Sequence, residues 1–200
     1  MILHAKKTLI RQIFLGVFCL VVVTIDNNIY AEVDRAKRPF VRIESFKTGL
    51  NVPIPDRPAW KNSIEPRAGT YALLISTPEK FYPQVSMELV LNHRINLNSI
   101  KFESVVVSGL NTIRKKSGVN EVITKADLKR VVYGDMQAYE DSYQMESKER
   151  NYSIRSIMGL MPSGHPITIF IATPKGQMNH IKDITNTIIK NLKELPKDIK

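Results

Sequence analysis

Cysteine is nearly missing from this chain of 200 residues; the one present is Cys19. It falls within an N-terminal segment that reads as a removable leader. The remainder then has no disulfide, no thiolate nucleophile and no cysteine-based zinc site. Long apolar runs are missing too. Residues 13–25 (IFLGVFCLVVVTI) are uncharged and mostly apolar, but a spanning helix needs about 20 such residues. Acidic residues are outnumbered 19 to 29 by lysine and arginine, giving a net charge of +10. Nucleotide-binding signatures are absent: the sequence has neither G-x-x-x-x-G-K-[ST] nor G-x-G-x-x-G. H-E-x-x-H and G-x-S-x-G are also missing, which removes the core motifs of zincins and α/β-hydrolases. Lys47-Thr48-Gly49 matches one motif of penicillin-binding enzymes, but no serine has lysine three positions on, as that chemistry also requires.

What is present begins with the leader. Lys6, Lys7 and Arg11 precede the 13-residue apolar run, and Ala31 supplies a small residue before a cleavage point. This order predicts a signal peptide over 1–31 and a periplasmic or secreted product. Retention of the leader as a membrane anchor is the alternative. Bulky Phe18 stands before Cys19 where lipid attachment requires a small residue. The leader holds three positive charges and one negative, so the rest keeps +8. Export and the scatter of the basic residues argue against nucleic acid; the balance suits a solvated surface or an acidic protein partner.

The remaining 169 residues make one domain by size. Residues 32–49 are expected to be an N-terminal extension and 50–200 the domain. Proline-punctuated short strands are predicted near 41–46 and 50–54, then clearer ones at 71–77 and 85–91. Residues 97–116 form the first helix, with Leu97, Ile100, Val106, Leu110 and Ile113 as its apolar stripe and Gly118 as its cap. Strands follow at 120–132, 136–145, 152–160 and 167–173, the last two joined by a loop at 161–166. Ile181, Ile184, Ile188, Leu192 and Leu195 mark a final amphipathic helix over 178–195, stopped by Pro196. The predicted class is α+β, an antiparallel sheet covered by two amphipathic helices.

Three features carry a likeness. A strand runs into Pro55 with Trp60 shortly after; the stretch 96–100 (NLNSI) opens the first helix; and 133–139 (YGDMQAY) leads a strand. Together with the closing hairpin and helix, over about 50–195, these resemble the PsbP-like fold, shared by photosystem PsbP subunits, Mog proteins and small exported bacterial proteins. The glycine usual before the tryptophan is replaced here by Asp56-Arg57-Pro58-Ala59. The resemblance implies a non-enzymatic binding or adaptor role, in some relatives as periplasmic immunity proteins, and in some with calcium or other ions held by acidic loops.

Chemistry-bearing residues are sparse. Asp135, Glu140, Asp141 and Glu146 are the metal candidates, with calcium as the cation, although strand alternation puts Glu140 and Asp141 on opposite faces. His93, His165 and His180 lie far apart and lack metal-ligand spacing. Ser163 and His165 share the 161–166 loop and are the one imaginable hydrolytic pair, without a visible orienting acid. Tyr139 and Tyr143 share a strand face and are the candidates for an exposed partner-binding strip. No catalytic or cofactor-binding residue is assigned. The expected protein is a monomeric, non-catalytic envelope module that binds another envelope or secreted protein, with inhibitor or immunity roles among its forms. The alternatives are a membrane-anchored accessory of envelope assembly or secretion, and a periplasmic hydrolase or calcium-dependent protein.

Overall fold

A computed structural model describes residues 40–146 and 150–196. The expected leader, 1–31, lies outside the described residues. Within them the order is β1 (Phe40–Ser45), β2 (Leu50–Pro55), β3 (Lys61–Arg67), β4 (Thr70–Ser76), β5 (Ser86–Leu91), α1 (Ser99–Lys116), β6 (Lys129–Tyr133), β7 (Met136–Glu146), β8 (Asn151–Leu160), β9 (Pro166–Pro174), α2 (Met178–Lys190) and β10 (Lys193–Glu194). Seven strands form one sheet in the order β3-β4-β5-β9-β8-β7-β6, and β1-β2-β10 form a second. Every neighbouring pair is antiparallel. The fold is therefore α+β, as expected.

Both faces of the large sheet are covered, because alternate residues of its central strands are apolar or paired on both sides. On one side, Ile181, Ile184, Ile188 and Ile189 of α2 join Ile157 of β8, Ile167, Ile169 and Ile171 of β9, and Leu50, Val52 and Ile54 of β2 in the main core. On the other, Phe102, Val106 and Leu110 of α1 pack with Ile123 and Tyr139. Each fully buried isoleucine or leucine contributes roughly 1.5–3 kcal/mol by transfer, so these two interfaces hold the layers together.

The first helix is capped at both ends. The Asn98 side chain accepts a hydrogen bond from the Lys101 amide at 2.9 Å. At the other end the Val119 amide reaches the Arg114 carbonyl and the Gly118 amide the Lys115 carbonyl, with Gly118 at φ +78°. That is the Schellman arrangement, which needs a left-handed residue. The buried stripe is Phe102, Val106, Leu110 and Arg114. Ile100, expected on it, is 80% exposed, because the helix is rotated to seat Phe102.

Four other expectations are corrected. First, β1 falls inside the supposed extension, yet pairs with β2 along its whole length. Second, β3 went unpredicted because it is an edge strand, mostly exposed, with Lys61, Glu65, Pro66 and Arg67. Charge and proline suit an edge and erase the alternation that marks a half-buried strand. Third, of 120–132 only Lys129 onward is strand, preceded by a single 3₁₀ turn, Lys125–Asp127. Fourth, the last helix stops at Lys190 rather than running to 195.

Two buried arginines fasten the layers. Arg114 of α1 donates to both carboxylate oxygens of Asp141 at 3.1 Å and to Glu121 at 2.9 Å, with its guanidinium over the Tyr143 ring. Arg155 of β8 donates to Glu140 at 2.9 Å and to the Tyr133 hydroxyl, and Tyr133 donates to Glu140 at 2.7 Å. Burial alone pushes the Glu140 carboxyl up, but the bonds from Arg155 and Tyr133 outweigh it and hold the group below the usual glutamate range. Burial, with the Glu140 bond, raises the Tyr133 hydroxyl.

Asp141→Ala leaves the buried Arg114 guanidinium only the exposed Glu121 as a charged partner and is expected to cost at most about 3–5 kcal/mol, read as a lowered urea midpoint. Glu140 also predicts a pH slope. Its unfolded pKa, about 4.3, lies above its folded one, so the unfolded chain takes the proton first and stability falls as pH drops through that window. Urea midpoints measured across the acid range should fall there, and more shallowly in Glu140→Gln.

Candidate functional site

After Lys190 the chain does not continue as helix. Leu192 turns into the core, and Lys193 and Glu194 pair with Asn51 and Leu50 of β2. The Leu195 amide then donates to the Gly49 carbonyl at 2.8 Å. This short return sets Glu194 beside two loops. One follows β5 and carries His93; the other, 161–166, precedes β9 and carries Ser163 and His165. The loops are tied together: Asn92 donates its amide to the Pro166 carbonyl at 3.0 Å, Leu97 to Gly164 at 2.8 Å, and the Asn96 side chain to the Ser163 carbonyl at 2.8 Å.

The side chains converge. His165 Nδ1 lies 2.6 Å from Glu194 Oε1 and 3.1 Å from Ser163 Oγ. Ser163 Oγ donates to Glu194 Oε2. His93 Nδ1 faces Glu194 Oε1 at 3.5 Å, and the two imidazoles meet edge to face with centroids 5.4 Å apart. The other nitrogen of His93, Nε2, lies 3.3 Å from the Thr48 carbonyl. That oxygen only accepts, so Nε2 carries a hydrogen. His93 Nδ1 is buried and has no hydrogen-bond partner among the described residues.

Gly49 makes this approach possible. At φ +69° it sits in the left-handed region, and a Cβ there would come within 2.0 Å of His93 Nε2. Beside His93 a cavity of about 430 Å³ opens, rimmed by Lys47, Arg67, Tyr71 and Arg94.

Ser163, His165 and Glu194 have the residue types of a hydrolytic triad but not its relay. In a triad the acid and the nucleophile engage opposite nitrogens of the imidazole. Here both meet Nδ1, and the serine hydroxyl is spent on the carboxylate. The arrangement is a carboxylate gathered by a hydroxyl and two rings. Taking one donor atom from each of His93, His165 and Glu194, all lie within 4.8 Å of one another. Two imidazoles and a carboxylate are a donor set for zinc and its neighbours rather than for calcium, which prefers oxygen alone.

The residues singled out from sequence fall elsewhere, His165 and Ser163 excepted. Glu140 and Asp141 point to opposite faces, each claimed by a buried arginine. Asp135 is exposed in the β6–β7 turn and Glu146 is exposed at the far end of β7. The four do not converge. Tyr139 and Tyr143 do share a face, but α1 covers it: both are buried, Tyr143 with its hydroxyl 3.1 Å from Ser117 Oγ. They form packing, not an exposed strip. His180 is exposed in the first turn of α2. His93 was set aside for lacking metal-ligand spacing and Glu194 was missed, since nothing local links either to a loop that lies far away in sequence.

Gly49→Ala should strain the backbone by about 1–2 kcal/mol and push the His93 ring off Glu194. A lowered urea midpoint together with displaced His93 imidazole NMR resonances would show both effects.

No family model matches this chain, and no curated protein matches it. Solved structures do. The solution structure of cyanobacterial PsbP (CyanoP) from Synechocystis sp. PCC 6803 aligns with a TM-score of 0.50 at 13% identity, over 79% of this chain and 94% of that one. A crystal structure from Bacteroides thetaiotaomicron VPI-5482 gives a TM-score of 0.50 at 11% identity over 80% of this chain, which spans half (50%) of that protein's length. LpqN of Mycobacterium tuberculosis, described as involved in cell envelope biogenesis, aligns at a TM-score of 0.48 and 13% identity, over 79% and 91% of the two chains. This chain has a PsbP-like fold. No helix among the described residues is long and apolar enough to cross a membrane.

Proposed function

We propose that this is an exported, non-catalytic binding protein of the bacterial cell envelope, whose partner is another envelope or secreted protein. The likeness to CyanoP, along 94% of that chain, supports this most, because the PsbP-like fold resembled in the sequence implies a binding or adaptor module. Residues 1–31, with a cationic tip, an apolar run and Ala31, supply the export address. The Ser163–His165–Glu194 geometry, which lacks a triad's division of ring nitrogens, is consistent with a module that recognises rather than hydrolyses. A charge of +8 beyond the leader suits an acidic partner surface. Inhibition of a toxic effector is one form that such docking takes.

Cell fractionation with intact-mass measurement tests the address. The expected product lacks the first 31 residues and is released with the periplasm. In-cell crosslinking should then trap the processed chain on one envelope or secreted protein, with capture weakened by salt. Recovery of the full-length chain from the cytoplasm would defeat this reading.

A further inference from the structure

We propose that His93, His165 and Glu194 bind a divalent transition-metal ion of the zinc class. The inference is separate from the docking role above and stands on the site's own geometry.

The first ground is an unsatisfied buried nitrogen. The Thr48 carbonyl engages His93 Nε2, and Nδ1 faces the carboxylate oxygen of Glu194 at 3.5 Å. That nitrogen is buried with no hydrogen-bond partner among the described residues. A cation between the two atoms bonds both. Imidazole nitrogen and carboxylate oxygen bind zinc at about 2.0–2.2 Å.

The second ground is the surrounding support. Metal-bound histidines characteristically donate their other N–H to a carbonyl or carboxylate, and bound carboxylates are themselves hydrogen-bonded. The first condition is met at His93 and the second at Glu194. His93 has Thr48, and Ser163 holds Glu194 Oε2, which leaves Oε1 turned toward the two rings. The Gly49 position that admits the His93 ring excludes any side chain.

The spacing is near what the ion requires. Donors on a tetrahedral zinc stand about 3.3 Å apart, given bonds of about 2 Å; Glu194 Oε1 lies 3.5 Å from His93 and 2.6 Å from His165, and all three donors lie within 4.8 Å of one another. Opening the His165 contact by less than an ångström, and drawing the two rings together by up to about 1.5 Å, admits the ion. The hydrogen that His165 Nδ1 now shares with Glu194 passes to solvent as the metal replaces it. Three protein donors leave a fourth position for water or an outside donor. The donor chemistry selects zinc, copper or nickel over calcium or magnesium.

The test uses untagged, processed protein titrated with zinc chloride by calorimetry, with calcium chloride in parallel. The expected result is one zinc per chain, a raised melting temperature with zinc, and no comparable response to calcium. His93→Gln and Glu194→Gln should each weaken zinc at least about 100-fold, while His180→Ala leaves affinity unchanged. In the wild-type chain, which avoids any folding defect of a variant, zinc should shift the imidazole nitrogen resonances of His93 and His165 and spare His180. Absence of stoichiometric uptake overturns the proposal. So does equal loss in the His180 variant, or resonance shifts that miss His93 and His165.

Discussion

Neighbouring residues on an extended strand must face opposite sides, and β7, next to the edge strand β6, places two carboxylates next to each other where α1 and α2 cover the two faces. Neither is left in the interior unpaired. Glu140 meets Arg155 and Tyr133 on the α2 side; Asp141 meets Arg114, reaching down from α1, on the other. Buried pairs of this kind often add little net stability over well-packed apolar residues. Their effect is positional: with Arg114 tied to Asp141, α1 cannot slide or rotate without stranding a charge. The small sheet and α2 complete the opposite layer, and the candidate site lies where that layer meets the loops of the large sheet.

The sequence made the layered architecture legible because its strongest signals are periodic. The isoleucines of α2 and the alternating isoleucines of β9 read as helix face and central strand, and both pack in the main core. Signals failed where periodicity was masked. β3 is a charged edge with a proline, so no half-buried alternation exists to detect. Arg114 lies outside the apolar stripe expected for the first helix because it is charged, yet it belongs to the buried face. The final helix was overrun because Leu192 and Leu195 continue the helical spacing, although the chain has already left the helix.

That last difference decided the site. Drawn as helix to 195, Glu194 sits one turn past the isoleucine face with no relation to any histidine. As β10 it pairs with β2 and meets His93 and His165. The Ser163–His165 pairing was visible because both lie in one loop. His93 and Glu194 come from distant segments, and only strand pairing joins them. The Glu140–Asp141 and Tyr139–Tyr143 readings had the opposite fate: their faces were assigned as they stand, but the arginines and α1 that occupy those faces lay beyond what local spacing conveys. The PsbP-like likeness, resting on element order rather than on a signature, survives because element order is what a fold preserves.

Glu194 follows in sequence every partner it gathers, since Gly49, His93 and the loop ahead of β9 all come earlier. During synthesis those partners leave the ribosome first and wait for it, since chains emerge from their N-terminal end. The cluster therefore cannot close until Glu194 has emerged, so the loops around His93 and His165 fold first without their carboxylate.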